Sequence, residues 1–270
     1  MFFKQRILPA VGIVVVTFGC ILLCRATRVA FFAALALVSA YELYQALKQA
    51  GVSFLYVVPA AYIAGQFGWC MGGFDIEWQL AWFALISFCA LFKVILKPSL
   101  GAKNAVYTLA MMLWPFGFYG IVMAMAAQEN GAVMLVLAIL SAWACDSMAL
   151  FVGRGMGKHK LSPEVSPNKT WEGAVGGGIF AGIAGVLLYF ILKGFGGPSL
   201  VPCVVTAVVS SSFGQVGDLA ASLIKRMCGV KDYGHFLGEH GGVMDKMDSM
   251  LFALPAAWLC LALFGEFGML

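Results

Sequence analysis

Long apolar runs, separated by short polar clusters, recur from one end of this chain to the other. A helix needs about 20 consecutive apolar residues to cross a bilayer. Runs of that kind predict about nine transmembrane helices, at 7–24, 29–47, 52–71, 78–96, 104–126, 130–153, 173–193, 199–220 and 249–266. The expected fold is therefore all-α, a polytopic integral membrane protein. No linker or repeat divides it, so residues 1–270 read as a single polytopic membrane domain.

Composition excludes a soluble domain: 62% of residues are hydrophobic and 11% are charged, with a mean hydropathy of +0.92. The net charge of +4 is too small to argue for nucleic acid, and there is no basic tail to bind it. Eight scattered cysteines fall mostly inside the spans without metal spacing, which suits small apolar side chains rather than disulfides. Lys4 and Arg6 precede the first run as in a signal peptide. Arg25 follows Cys24 where a small-residue cleavage site would stand, so a retained span is expected.

Cytoplasmic loops carry an excess of Lys and Arg. That rule puts the N-terminus in the cytoplasm, together with Lys48, Lys97, Lys103, the segment Arg154 to Lys169 and the segment Lys225 to Lys246. The opposite side receives Asp75, Glu77, Glu129 and Lys193, and Arg25 and Arg28 break the rule there.

The two halves differ in chemistry. Up to about residue 130 the chain reads as helical scaffold, with Glu42 its one acid at membrane depth, either functional or snorkelling to the interface beside Lys48. Of six aspartates, five lie between Asp146 and Asp248, as do all three histidines, so residues 131–270 are the half expected to carry the chemistry. In the seventh span Gly173/Gly177 and Gly178/Gly182 have the spacing of close helix packing in lipid. A phosphate-cradling loop is less suited, because no strand is expected before it and no Gly-Lys-Ser/Thr follows.

The segment Ser222–Asp248 concentrates ten ionisable residues beside apolar spans. Asp218, Ser222 and Lys225 fall on one helical face, so Asp218 either pairs with Lys225 or binds a metal. Asp245 and Asp248 are three apart, sharing a face in the first turn of the last span. Mg²⁺ binds through one or two carboxylates plus substrate phosphates. Asp218 with Asp245 or Asp248 supplies such a set if the two helix ends meet. Lys225, Arg226, Lys231 and His240 suit polyphosphate oxygens, and Gly241-Gly242 permits a sharp turn or a close phosphate approach. Upstream, Asp146 lies in the sixth span and needs a partner. The polar loop after it ends in Ser166-Pro167-Asn168 and Lys169-Thr170-Trp171-Glu172; Thr170 and Gly173 form no capping box, which leaves the next helix start undefined. These parts suit phosphoryl or nucleotidyl transfer.

The pattern resembles the phosphatidate cytidylyltransferases, membrane enzymes that make CDP-diacylglycerol. It is carried by Ser222, Lys225-Arg226, Lys231-Asp232, Gly234, His240-Gly241-Gly242 and Asp245-Lys246-Met247-Asp248, with Trp143/Asp146 and Ser166-Pro167-x-Lys169-Thr170 then Glu172-Gly173 upstream. The likeness in motifs covers roughly 140–250, and Lys246 stands where the family has Arg. The resemblance implies transfer of CMP from CTP to phosphatidic acid. Catalytic positions would be Asp218, Lys225, Arg226, Lys231, Asp232, His240, Asp245, Lys246 and Asp248. Substrate would be held by Asp146, Asn168, Lys169, Glu172, Ser222, Gly241 and Gly242. Asp218 and Asp245 would lead as Mg²⁺ ligands, Asp248 and Asp146 would join them, and a second cation is left open. CTP, phosphatidic acid and membrane lipid would be the partners, with a homodimer left open, in a bacterial inner membrane with the site facing the cytoplasm. A CTP-using relative acting on another lipid (a polyprenol kinase or an ether-lipid cytidylyltransferase) is the nearest rival. An ion-coupled transporter is more distant, because the charges gather at one face and no discontinuous span is expected at matching positions of the two halves.

Overall fold

The structure, a computed structural model, describes residues 8–52, 54–73, 76–97, 101–238 and 241–268. Lys4, Arg6 and Asp75, used above to orient the chain, lie outside them. Helix dominates. In chain order come α1 (Leu8–Leu23), α2 (Arg25–Gln49), α3 (Val57–Gly72), α4 (Ile76–Leu96), α5 (Ala102–Met111) and α6 (Phe118–Ala127). They are followed by α7 (Gly131–Met156), strands β1 (Lys160–Ser162) and β2 (Ser166–Thr170), α8 (Trp171–Leu192), α9 (Leu200–Met227), α10 (Met244–Met247) and α11 (Met250–Leu263).

Among the described residues seven helices are long and apolar enough to cross a membrane, where the pattern predicted about nine. Two of the seven are composite, 103–127 over α5 and α6 and 244–263 over α10 and α11, while α1 and α3, each of 16 residues, fall short. Gly73, at φ +73°, closes α3 in the left-handed conformation that glycine adopts without strain. Two spans are also interrupted, contrary to expectation. A wide turn at Met112–Gly117, with Trp114 extended and Pro115 lacking an amide hydrogen, separates α5 from α6. Asp248 and Ser249 separate α10 from α11.

The chain forms two compact units, one of residues 1–128 with 227–246 and one of 129–226 with 247–270. The loop 227–246, late in sequence, thus packs with the first helices.

In the first unit α2 buries Val29, Phe32, Ala36, Ala40, Leu43 and Leu47, a stripe at helical spacing. Its two N-terminal arginines, the exceptions to the expected charge pattern, bond to backbone carbonyls. Arg28, buried, donates to the carbonyls of Ala126 (2.9 Å), Gln128 (3.2 Å) and Ile21 (3.5 Å), while Arg25 donates to that of Cys70. Ile21, Cys70 and Ala126 sit in the last turns of α1, α3 and α6, where backbone acceptors lack intrahelical donors. Further polar contacts, Ser39 to Tyr119 (2.7 Å) and Gln66 to the Gly120 carbonyl (3.2 Å), cross the same interior.

The second unit is organised by small residues. On α8, Gly173, Gly177, Ala181 and Gly185 form the buried stripe. A Cβ at Gly177 would lie 2.8 Å from the Cys145 carbonyl, and one at Gly173 would lie 2.6 Å from that of Ala149, so α7 and α8 pack backbone to backbone. The second glycine pair expected to pack does so in one member only: Gly182 approaches Val208, whereas Gly178 faces open space. Ile179, Ile183, Leu187 and Phe190 are exposed and give α8 an apolar outer face.

The loop between α7 and α8 corrects a further expectation. It folds as an antiparallel hairpin, β1 against β2, so a strand does precede α8. Polar composition and Pro167 concealed it. Thr170 ends β2 and caps α8, its Oγ1 accepting from the Gly173 amide at 3.1 Å. One half of a capping box suffices to fix that start.

Candidate functional site

Two groups of charged residues emerge, one in each unit. In the second unit α7 carries Asp146, β2 carries Lys169 and α9 carries Asp218. Lys169 Nζ lies 2.7 Å from Asp218 Oδ2, both side chains being about one-third exposed or less (26% and 34%). Asp146 is exposed along its apolar span and feels the charges of both Asp218 and Lys169. Ser222, one turn beyond Asp218, donates to its Oδ1 at 3.4 Å. Three elements thereby bring two carboxylates and one ammonium together.

Gln215 holds this arrangement and carries no charge to reveal it in the sequence. Its amide nitrogen donates to the Ala174 carbonyl on α8 (3.2 Å) and to Cys145 Sγ on α7 (3.1 Å). Its backbone carbonyl accepts from Lys169 Nζ at 3.4 Å. One residue of α9, three before Asp218, thus ties α7, α8 and the hairpin together.

Further along α9 the pairing differs from the helical-face expectation. Lys225 reaches Asp248 at 3.8 Å, not Asp218. Gly217 makes that approach feasible, since a Cβ there would meet the Asp248 carbonyl at 2.6 Å and the Phe252 ring at 2.8 Å. Asp248 is buried and its Oδ1 accepts from the Ser249 amide at 2.7 Å. Arg226 is exposed.

In the first unit Asp245 closes the loop that carries Lys231 and Asp232, both exposed. Its Oδ2 accepts from the Tyr233 amide (2.8 Å) and the Gly242 amide (3.0 Å). Gly241 adopts φ +81°, the turn expected of it. The amides of Gly242 and of the two residues after it meet protein carboxylates. The Gly242 amide goes to Asp245, and those of Val243 and Met244 go to Glu42 Oε1 (3.0 Å) and Oε2 (2.8 Å). Glu42, 5% exposed, does not snorkel beside Lys48 as an interfacial acid would. Lys246 is exposed. Asp245 and Asp248 do not share one helical turn: Asp245 sits in α10, and Asp248 follows its end.

Asn168 is exposed on β2. Glu172, at the start of α8, accepts from the His159 amide at 3.2 Å and sits 2.5 Å from His159 Nδ1, so its carboxylate is engaged by the hairpin. His240 lies outside the described residues. Among the described residues no three of His, Cys, Asp and Glu gather as a ready metal cage. Any divalent ion here needs oxygens from its substrate or from water as well.

The sequence profile described as "Cytidylyltransferase family" matches residues 4–264. Among curated proteins, the chain is 40% identical over 137 residues to the phosphatidate cytidylyltransferase of Bacillus subtilis, covering 51% of this chain and 50% of that protein. It is 43% identical over 130 residues to that of Staphylococcus haemolyticus (48% of this chain, 49% of that protein). It is 39% identical over 132 residues to that of Haemophilus influenzae (47% and 44%). The matched region spans about half the length of these relatives.

Proposed function

This chain belongs to the cytidylyltransferase family, and from that premise we propose that it transfers CMP from CTP to phosphatidic acid. A phosphate oxygen of the lipid forms a bond to the α-phosphorus of CTP. The bond to the β-phosphate oxygen breaks, and pyrophosphate leaves with the electron pair. CDP-diacylglycerol stays in the membrane. No side-chain base is needed, because a phosphate monoester is already largely ionised near neutral pH. Catalysis then rests on positioning and charge neutralisation.

The observation that carries this reading is the triad Asp146, Lys169 and Asp218. Two carboxylates near one ammonium make a place that favours a cation, and the donor set is all oxygen, as Mg²⁺ prefers. Asp146 and Asp218 would hold Mg²⁺ in the second unit, with Asp248 a further acid of that unit and Asp245 an acid of the first. When bound, the ion would neutralise charge on the triphosphate. Lys169 would leave Asp218 for a phosphate oxygen. Lys225 and Arg226 are the bases proposed for phosphate contacts in the second unit, as Lys231, His240 and Lys246 are in the first. The reading further puts the N-terminus and the charged loops at the cytoplasmic face of a bacterial inner membrane, where CTP is found.

Purified protein in detergent, given CTP, Mg²⁺ and phosphatidic acid, is expected to release pyrophosphate and form a CDP-lipid. EDTA should abolish turnover and excess Mg²⁺ restore it. Release of CDP instead of pyrophosphate, or no reaction with phosphatidic acid, would sink the proposal.

A further inference from the structure

Glu42 belongs to the helices that sequence alone marks as scaffold, yet it reaches residues 201 and 202 positions away. Its carboxylate accepts the amides of Val243 and Met244 and is 5% exposed. Two glycines make room for it. A Cβ at Gly234 would fall 2.5 Å from Oε1, and one at Gly242 would fall 2.5 Å from both oxygens. The Gly241-Gly242 turn is therefore built around a protein carboxylate. Asp245, in the same turn, closes the other side through Tyr233 and Gly242.

Successive backbone amides at such a turn attract anions. Here Glu42 is the anion, fixed on a rigid helix and present before any substrate arrives. We propose that Glu42 is a positioning residue, which takes the Val243 and Met244 amides that a phosphate would otherwise take and so presets the turn that carries Asp245 and Lys246. The inference rests on the cytidylyltransferase reading for its catalytic consequence, though not for the contact itself. It also assigns Gly242 a role different from phosphate binding: with Gly234 it admits a carboxylate.

Glu42→Gln keeps the size but offers one acceptor and one N–H₂, so one of the two amides would face a donor. The full chain in detergent is expected to show about tenfold faster hydrogen exchange at Val243 and Met244, the effect of losing a charge-assisted bond. Its kcat should fall about thirtyfold, with KM for CTP within about threefold, because the amides do not bind CTP. Glu42→Asp keeps both acceptors and should recover part of kcat. Gly234→Ala leaves the charge in place and pushes on it, and should give a similar loss in kcat.

Wild-type kcat in Glu42→Gln, or a loss confined to KM for CTP, would overturn the proposal. So would a lower melting temperature with unchanged kcat per folded molecule. If Glu42→Gln does not fold, Glu42→Asp and Gly234→Ala decide, and full kcat in both refutes the role. Inactive wild-type protein would bring down the cytidylyltransferase reading instead, and unchanged exchange in the variants would separately refute the Glu42 tether.

Discussion

Asp218 and Lys169 form an ion pair at 2.7 Å in the second unit, and Asp146 completes the group. Asp218→Asn keeps the shape but removes the charge that any cation there requires. Turnover is expected to fall by about 10²-fold or more, the scale of a lost electrostatic contact in a transition state. Circular dichroism and melting temperature should stay near wild type. Lys246→Arg is expected to hold kcat within about threefold, because the charge is kept and an exposed site tolerates the fork of a guanidinium. Steady-state kinetics on the purified variants checks both. These residues were legible in the sequence because isolated charges in an apolar chain stand out. Gln215 and the partners of Glu42 were not, since an uncharged amide is silent and a carboxylate does not reveal an acceptor role two hundred residues away.

Helices α7 and α8 meet along glycine, so their spacing is set by what is missing. Gly177→Leu would force the helices apart at Cys145 and Ala149. Overpacking of this kind is worth about 1–3 kcal/mol, and a lowered melting temperature in detergent should report it. Thr170→Val removes the cap of α8. It is expected to destabilise by about 1 kcal/mol and to loosen the strand that carries Lys169. The Gly173/Gly177 spacing announced the seam at sequence level, because small residues one turn apart have few other uses in lipid. The hairpin was not announced. Strands of three and five residues leave too short a periodic signal, and a proline inside one argues for a turn.

Over the whole chain, hydropathy foretold the helical membrane class, because every crossing of lipid must satisfy its backbone within a helix. Among the described residues it missed both interruptions, which depend on local backbone geometry at Trp114 and at Asp248. Arg25 and Arg28, the two exceptions to the expected charge pattern, hold peptide carbonyls. A guanidinium bonded to peptide carbonyls at a helix terminus serves the protein interior more than it advertises a side of the bilayer. Arg28→Gln is therefore expected to lower the melting temperature. Cysteines placed at Lys158 and Gly197 should still label from opposite faces, each from the same face as in wild type. Topology rules that tally basic residues would weigh this chain differently if arginines bonded to backbone carbonyls, as Arg25 and Arg28 are, were struck from the count. In membrane proteins at large, a misplaced arginine beside a helix boundary deserves to be tested first as a clasp.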